Sequence, residues 1–134
     1  MNFYAPPLGG MVAPARPKKK KPSLVASEFQ IQRAIQDAFR LKFQIALVHP
    51  DPGAGRVNGG GRFSALPAGY PDLVGIVPPT GRFLAIEVKA AGKVPTEAQV
   101  MMLDMMRAKG AIAFWADSVA SALAQFEAAK GAAA

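Results

Sequence analysis

Cysteine is absent from the 134 residues, so neither a disulfide framework nor a thiolate zinc site is available. Histidine is almost absent: His49 stands alone, which excludes a metal centre built from several imidazoles. No apolar run approaches the roughly 18 residues that suggest a membrane span. A secretory leader is not expected either, because the lysines follow the first apolar residues instead of preceding an apolar core. A soluble intracellular protein without a membrane partner is the expectation. The length and the 51% hydrophobic content suit one compact domain rather than two.

Acidic residues are missing altogether from residues 1 to 22, which carry Arg16, Lys18, Lys19, Lys20 and Lys21. The whole chain has a formal charge of +7, so this segment supplies five of the positive charges and leaves only 11 basic against 9 acidic residues elsewhere. Its five prolines, Pro6, Pro7, Pro14, Pro17 and Pro22, and its few large apolar residues argue for an extended tail over residues 1–24. A folded domain is expected over 25–130. Such a tail reads as a nucleic-acid-binding arm; a solubilising or targeting segment is the alternative.

Ser27 followed by Gln30 has the spacing of a capping box and opens a helix to about Lys42, with Ile31, Ala34, Ile35, Ala38 and Phe39 as its apolar stripe. Glu28 lies on that stripe, where a carboxylate needs a partner or a metal unless it simply favours the helix N-terminus from solvent. Phe43 to Val48 reads as a first strand, ended by Pro50 and Pro52. The stretch Gly53 to Arg62 is too rich in glycine for regular structure, and it lacks the Gly-Lys-Ser/Thr ending of a P-loop. Arg56 and Arg62 could bring this loop onto a phosphate backbone. His49 and Asp51 resemble a catalytic pair, although a lone histidine ending an apolar strand is more often structural.

The chemistry concentrates further on. Asp72 follows Pro71 at the start of a second apolar run, Leu73 to Val77, and Phe83 to Lys89 forms a third. Alternation along a strand sends Leu84, Ile86 and Val88 to one face and Phe83, Ala85, Glu87 and Lys89 to the other. Glu87 and Lys89 therefore point the same way, roughly 7 Å apart. The turn-forming Pro78-Pro79-Thr80-Gly81 lets the two runs pair as a hairpin that brings Asp72 beside Glu87. Phosphodiester hydrolysis sets an anionic substrate against an attacking hydroxide. Two carboxylates offer the hard oxygen ligands that magnesium or manganese prefers, and Lys89 adds a compact positive charge.

The Asp72, Glu87-Val88-Lys89 pattern resembles the PD-(D/E)xK nuclease superfamily. With Gly69-Tyr70-Pro71-Asp72-Leu73 and a helix carrying Gln99 after Pro95-Thr96, the resemblance over about residues 27 to 117 is to the VRR-NUC family of virus-type replication and repair nucleases. That resemblance implies an α/β fold with a restriction-endonuclease-like core, a mixed central sheet flanked by helices. It implies that Asp72 and Glu87 bind Mg2+ or Mn2+, that the carbonyl of Val88 completes the coordination, and that Lys89 assists catalysis. It also implies an acidic residue on the first helix, which Glu28 would supply, and Gln99 as an active-site helper. The activity implied is cleavage of DNA, at branched or flap structures in replication, recombination or repair, in a bacterial or bacteriophage-infected cytoplasm.

Thr96 to Lys109 is expected to be a helix, with Thr96 and Gln99 spaced as a capping box, so that Gln99 has a structural use as well as a functional one. Met101, Met102, Leu103, Met105 and Met106 give it an adaptable surface for core packing or for a subunit contact in a homodimer. Ala111 to Ala116 reads as a strand with Trp115 packed, and Ser118 to Ala129 as a last helix. Two readings compete with a nuclease. A non-catalytic nucleic-acid-binding protein on the same fold should lack one of Asp72, Glu87 and Lys89, and none is missing. An enzyme of small anionic metabolites leaves the basic arm without a role.

Overall fold

Residues 23–50, 55–56, 62–63 and 66–132 are described by the structure, a computed structural model. The first helix, α1 (Glu28–Phe43), opens on the expected capping box: Ser27 Oγ accepts from Gln30 N–H and the Gln30 carboxamide accepts from Ser27 N–H. Ile31, Ile35 and Phe39 bury its inner stripe, whereas Ala34 turns outward.

Phe43 to Val48 departs from the expected strand. The stripe of Ile35 and Phe39 continues to Phe43, whose ring packs on Phe39 and Phe126, so helix persists through Phe43. Gln44, with φ of 57°, then reverses the chain in the left-handed region, its N–H capping the Arg40 carbonyl. What remains of the strand is an extended strip with Ile45 and Leu47 buried and one bridge, in which Val48 and Val74 exchange both backbone hydrogen bonds at 2.9 Å. Gly75 allows the strip to lie close, since a Cβ there would sit 3.0 Å from the Ala46 carbonyl oxygen.

The glycine-rich segment also departs from expectation. Two short strands, β1 (Gly55–Arg56) and β2 (Arg62–Phe63), pair antiparallel with Arg56 opposite Arg62. Glycine retains both backbone hydrogen-bonding groups, so its abundance weakens a ladder without forbidding one.

The central sheet has three strands in the order β3 (Leu73–Val77), β4 (Arg82–Val88) and β5 (Ile112–Ala116). The hairpin β3–β4 is antiparallel, and β4 returns through α2 (Glu97–Ala108) to pair parallel with β5, which makes the sheet mixed. Alternation along β4 divides the core. Leu84, Ile86 and Val88 join α1 and the last helix, α3 (Val119–Lys130), in one cluster with Phe39 and Phe126. Ala85 faces α2 in a second cluster with Leu103, Met106 and Ala113, against which Phe83 and Trp115 pack. Helices thus cover both faces, α1 and α3 on one and α2 on the other. On α2, Met101 and Met105 remain exposed.

The outer edge of β5 is closed by side chains. Arg107 donates to the Ala113 carbonyl at 2.6 Å and Gln125 to the Trp115 carbonyl at 2.8 Å, which removes acceptors that another strand would otherwise find. Among the described residues, no helix is long and apolar enough to cross a membrane.

Candidate active site

The register of the β3–β4 hairpin, Leu73 opposite Ile86, sets Asp72 beside Glu87 one step further along. Asp72 is fixed at both ends. Its Oδ2 accepts from Val88 N–H at 2.8 Å, and its backbone carbonyl accepts from His49 Nδ1 at 2.7 Å. A carbonyl can only accept, so the His49 proton on this side sits on Nδ1. The histidine is therefore a support for the Asp72 backbone, the structural role that a lone histidine ending an apolar run suggests, although the sequence does not name Asp72 as its partner.

Glu87 sits on the α2 face of β4 and is 1% exposed. Its Oε1 accepts from Gln99 Nε2 at 2.5 Å and pairs with Lys89 Nζ at 3.0 Å. Its Oε2 is buried with no hydrogen-bond partner among the described residues. Burial, reinforced by the Asp72 charge and opposed by Lys89, pushes the Glu87 carboxyl up from 4.5 to about 7.

Gln99 fills both roles open to it. Its Oε1 accepts from Thr96 N–H at 2.8 Å to close the capping box of α2, which leaves Nε2 to reach Glu87. One side chain thus ties the start of α2 to the buried carboxylate. Gly69 makes that approach sterically open. It has φ of +78°, and a Cβ there would fall 2.4 Å from the Ala98 carbonyl oxygen and 2.8 Å from the Gln99 nitrogen. Gly69→Ala is expected to destabilise the fold by about 2 kcal/mol or more through strain and overpacking. Urea unfolding checks this, and an unchanged midpoint would contradict the close approach.

A VRR-NUC domain model matches residues 27–120, most of the chain. The chain belongs to the VRR-NUC domain family. A solved structure described as a VRR-NUC domain is 22% identical, with 76% of this chain and 97% of that chain covered and a TM-score of 0.55, so the two share a fold. No curated protein matches the chain.

VRR-NUC is a nuclease-like family, which directs attention to the donor set. Asp72 and Glu87 converge; Glu28 Oε1 accepts from Ala90 N–H at 3.3 Å, which sets it beside Lys89 on the wall of one groove. Among the described residues, no three His, Cys, Asp or Glu side chains cluster. An ion held here would have two carboxylates and backbone oxygen from the protein, an incomplete set that suits magnesium, which keeps several waters. The unpartnered Oε2 of Glu87 fits such a role, since a buried carboxylate oxygen without a donor is costly unless a cation meets it or, as the raised Glu87 carboxyl beside Asp72 allows in the metal-free protein, the two carboxyls share a proton. Of the expected nucleic-acid contacts, Arg16, Lys18, Lys19, Lys20, Lys21 and the side chains of Arg56 and Arg62 lie outside the described residues, as does Asp51.

Proposed function

We propose that the protein is a nuclease of PD-(D/E)xK type that hydrolyses DNA phosphodiester bonds with Mg2+ or Mn2+. The observation that carries this reading is Glu87, buried beside Asp72 with one oxygen unpartnered. Asp72, Glu87 and the Val88 carbonyl would hold the cation. A bound divalent ion supplies Lewis acidity, neutralising phosphate charge and lowering the pKa of the attacking water. The protein's own groups do the rest. Gln99 fixes the Glu87 carboxylate through Oε1, the Val88 N–H fixes Asp72, and Lys89 offers a positive charge where the pentavalent phosphorus accumulates negative charge. Cleavage of labelled linear, flap and four-way DNA with and without Mg2+ or Mn2+ tests the reading, and activity persisting in excess chelator would overturn it.

The basic arm supplies attraction rather than chemistry on this reading. Deleting residues 1 to 22 should weaken DNA binding and flatten its salt dependence, while cleavage survives at saturating DNA. Five positive side chains can neutralise at most five phosphates. Each duplex contact contributes roughly 0.9 to the slope of log affinity against log salt, so a fall of a few units is the upper limit. Titrations of both proteins across a salt series measure it. Equal slopes would assign the arm to targeting or to a protein partner.

A further inference from the structure

An open groove of about 780 Å3 begins at Lys89 and runs between the first turn of α1 and the loop that follows β4. Its lining combines apolar and polar groups from separate elements. Glu28, Phe29 and Gln32 enter from α1, with Glu28 held on the Ala90 N–H, Lys93 and Val94 from the loop, and His49 from the strip that supports Asp72. Phe29 is 66% exposed and Val94 73% exposed, although neither packs into either core cluster. A turn closed by Lys93 N–H on the Ala90 carbonyl at 2.9 Å, with Gly92 at φ of +81°, presents Lys93 beside them. Lys93 makes no ion pair among the described residues.

We propose that this groove is a nucleotide subsite in which Phe29 stacks on an unpaired base next to the scissile phosphate and Lys93 neutralises a neighbouring phosphate. The inference rests on the nuclease reading for the position of the scissile phosphate at Lys89. Every base has a π-face, so an exposed aromatic ring recognises an unpaired base without reading its identity. Duplex bases are already stacked on one another and cannot use it. Lys93 adds a second positive charge to the groove that Lys89 lines, which a neighbouring phosphate would use and an uncharged small ligand would not. Gln32 adds a donor and an acceptor for a base edge.

The test is binding of the full chain, in chelator, to a fluorescent single-stranded oligonucleotide and to the matching blunt duplex. The basic arm contributes to both, so the ratio isolates the groove. Phe29→Ala should weaken single-strand binding by about 5- to 150-fold, the range of one base–aromatic stack, and change duplex binding by less than about twofold. Phe29→Trp should restore the affinity, whereas Phe29→Leu, apolar without a π-face, should not. Lys93→Ala should weaken binding and reduce its salt slope by about 0.7 on the single strand. Equal losses on both substrates for Phe29→Ala, or full affinity in Phe29→Leu, would overturn the subsite. These readouts need no turnover: a Phe29-dependent single-strand preference in a protein that never cleaves DNA would refute the nuclease reading and leave base stacking in place.

Discussion

Glu87→Gln is expected to abolish metal-dependent cleavage, by on the order of a thousandfold or more, and at the same time to make the metal-free protein more stable above neutral pH. The two effects have one cause. Ionised Asp72, Glu87 and Lys89 together carry one unbalanced negative charge, and Glu87 bears it almost without water. Glutamine keeps the shape and an oxygen for the Gln99 Nε2 donor, but leaves Asp72 and Lys89 balanced. The size of the gain follows from linkage. With its carboxyl raised from 4.5 to about 7, folded Glu87 binds a proton that the unfolded chain releases. Its contribution to stability is full below 4.5 and is lost as pH rises through 7. The loss is about 3 kcal/mol, and the glutamine variant should be spared it. Denaturant unfolding of both proteins at pH 5 and pH 8 in chelator measures the difference. A variant that loses activity and stability together at pH 8 would mark Glu87 as a structural carboxylate.

The same pair of residues shows what a sequence can reveal. Strand alternation suffices to put Glu87 and Lys89 on one face, and the Pro-Pro-Thr-Gly turn suffices to bring Asp72 alongside, because both are local rules with period or length fixed by the backbone. The capping boxes at Ser27 and Thr96 are legible for the same reason. Competition between local patterns is harder. Phe43 fits a helical stripe and an apolar strand equally well, and its contacts with Phe39 and Phe126, from a helix far along the chain, decide for the helix. Long-range polar contacts leave no local trace at all. His49 reaching the Asp72 carbonyl, Arg107 and Gln125 closing the edge of β5, and Glu28 turning to Ala90 N–H each depend on how separate elements pack. Gly69 lies between: its presence in Gly-Tyr-Pro-Asp is visible, but its reason, the backbone of Ala98 and Gln99, is tertiary.

Addition of Mg2+ or Mn2+ is expected to raise the melting temperature, and to raise it more at pH 8 than at pH 6. A ligand that binds only the folded state at 100 times its Kd stabilises by about 2.7 kcal/mol, on the order of 10 °C for a domain of this size. Protons compete for the same carboxylate. With a Glu87 pKa of about 7, one-tenth or so of the sites are ionised at pH 6 and about nine-tenths at pH 8, so metal affinity should fall by about tenfold between pH 8 and pH 6. The metal-free curve declines over that interval as Glu87 ionises in a buried site beside Asp72 that Lys89 only partly offsets, whereas the metal-bound curve should hold. The gap between the two melting curves therefore widens with pH. Glu87→Gln should close the gap at every pH, because the charge that attracts the cation is gone and the unpartnered Oε2 with it. Scanning calorimetry of both proteins at pH 6, 7 and 8, in chelator and in each metal, reads this without any DNA present. Coincident melting curves for the unmodified protein at pH 8, with and without millimolar metal, would mean that Asp72 and Glu87 do not hold a divalent cation in the folded protein alone.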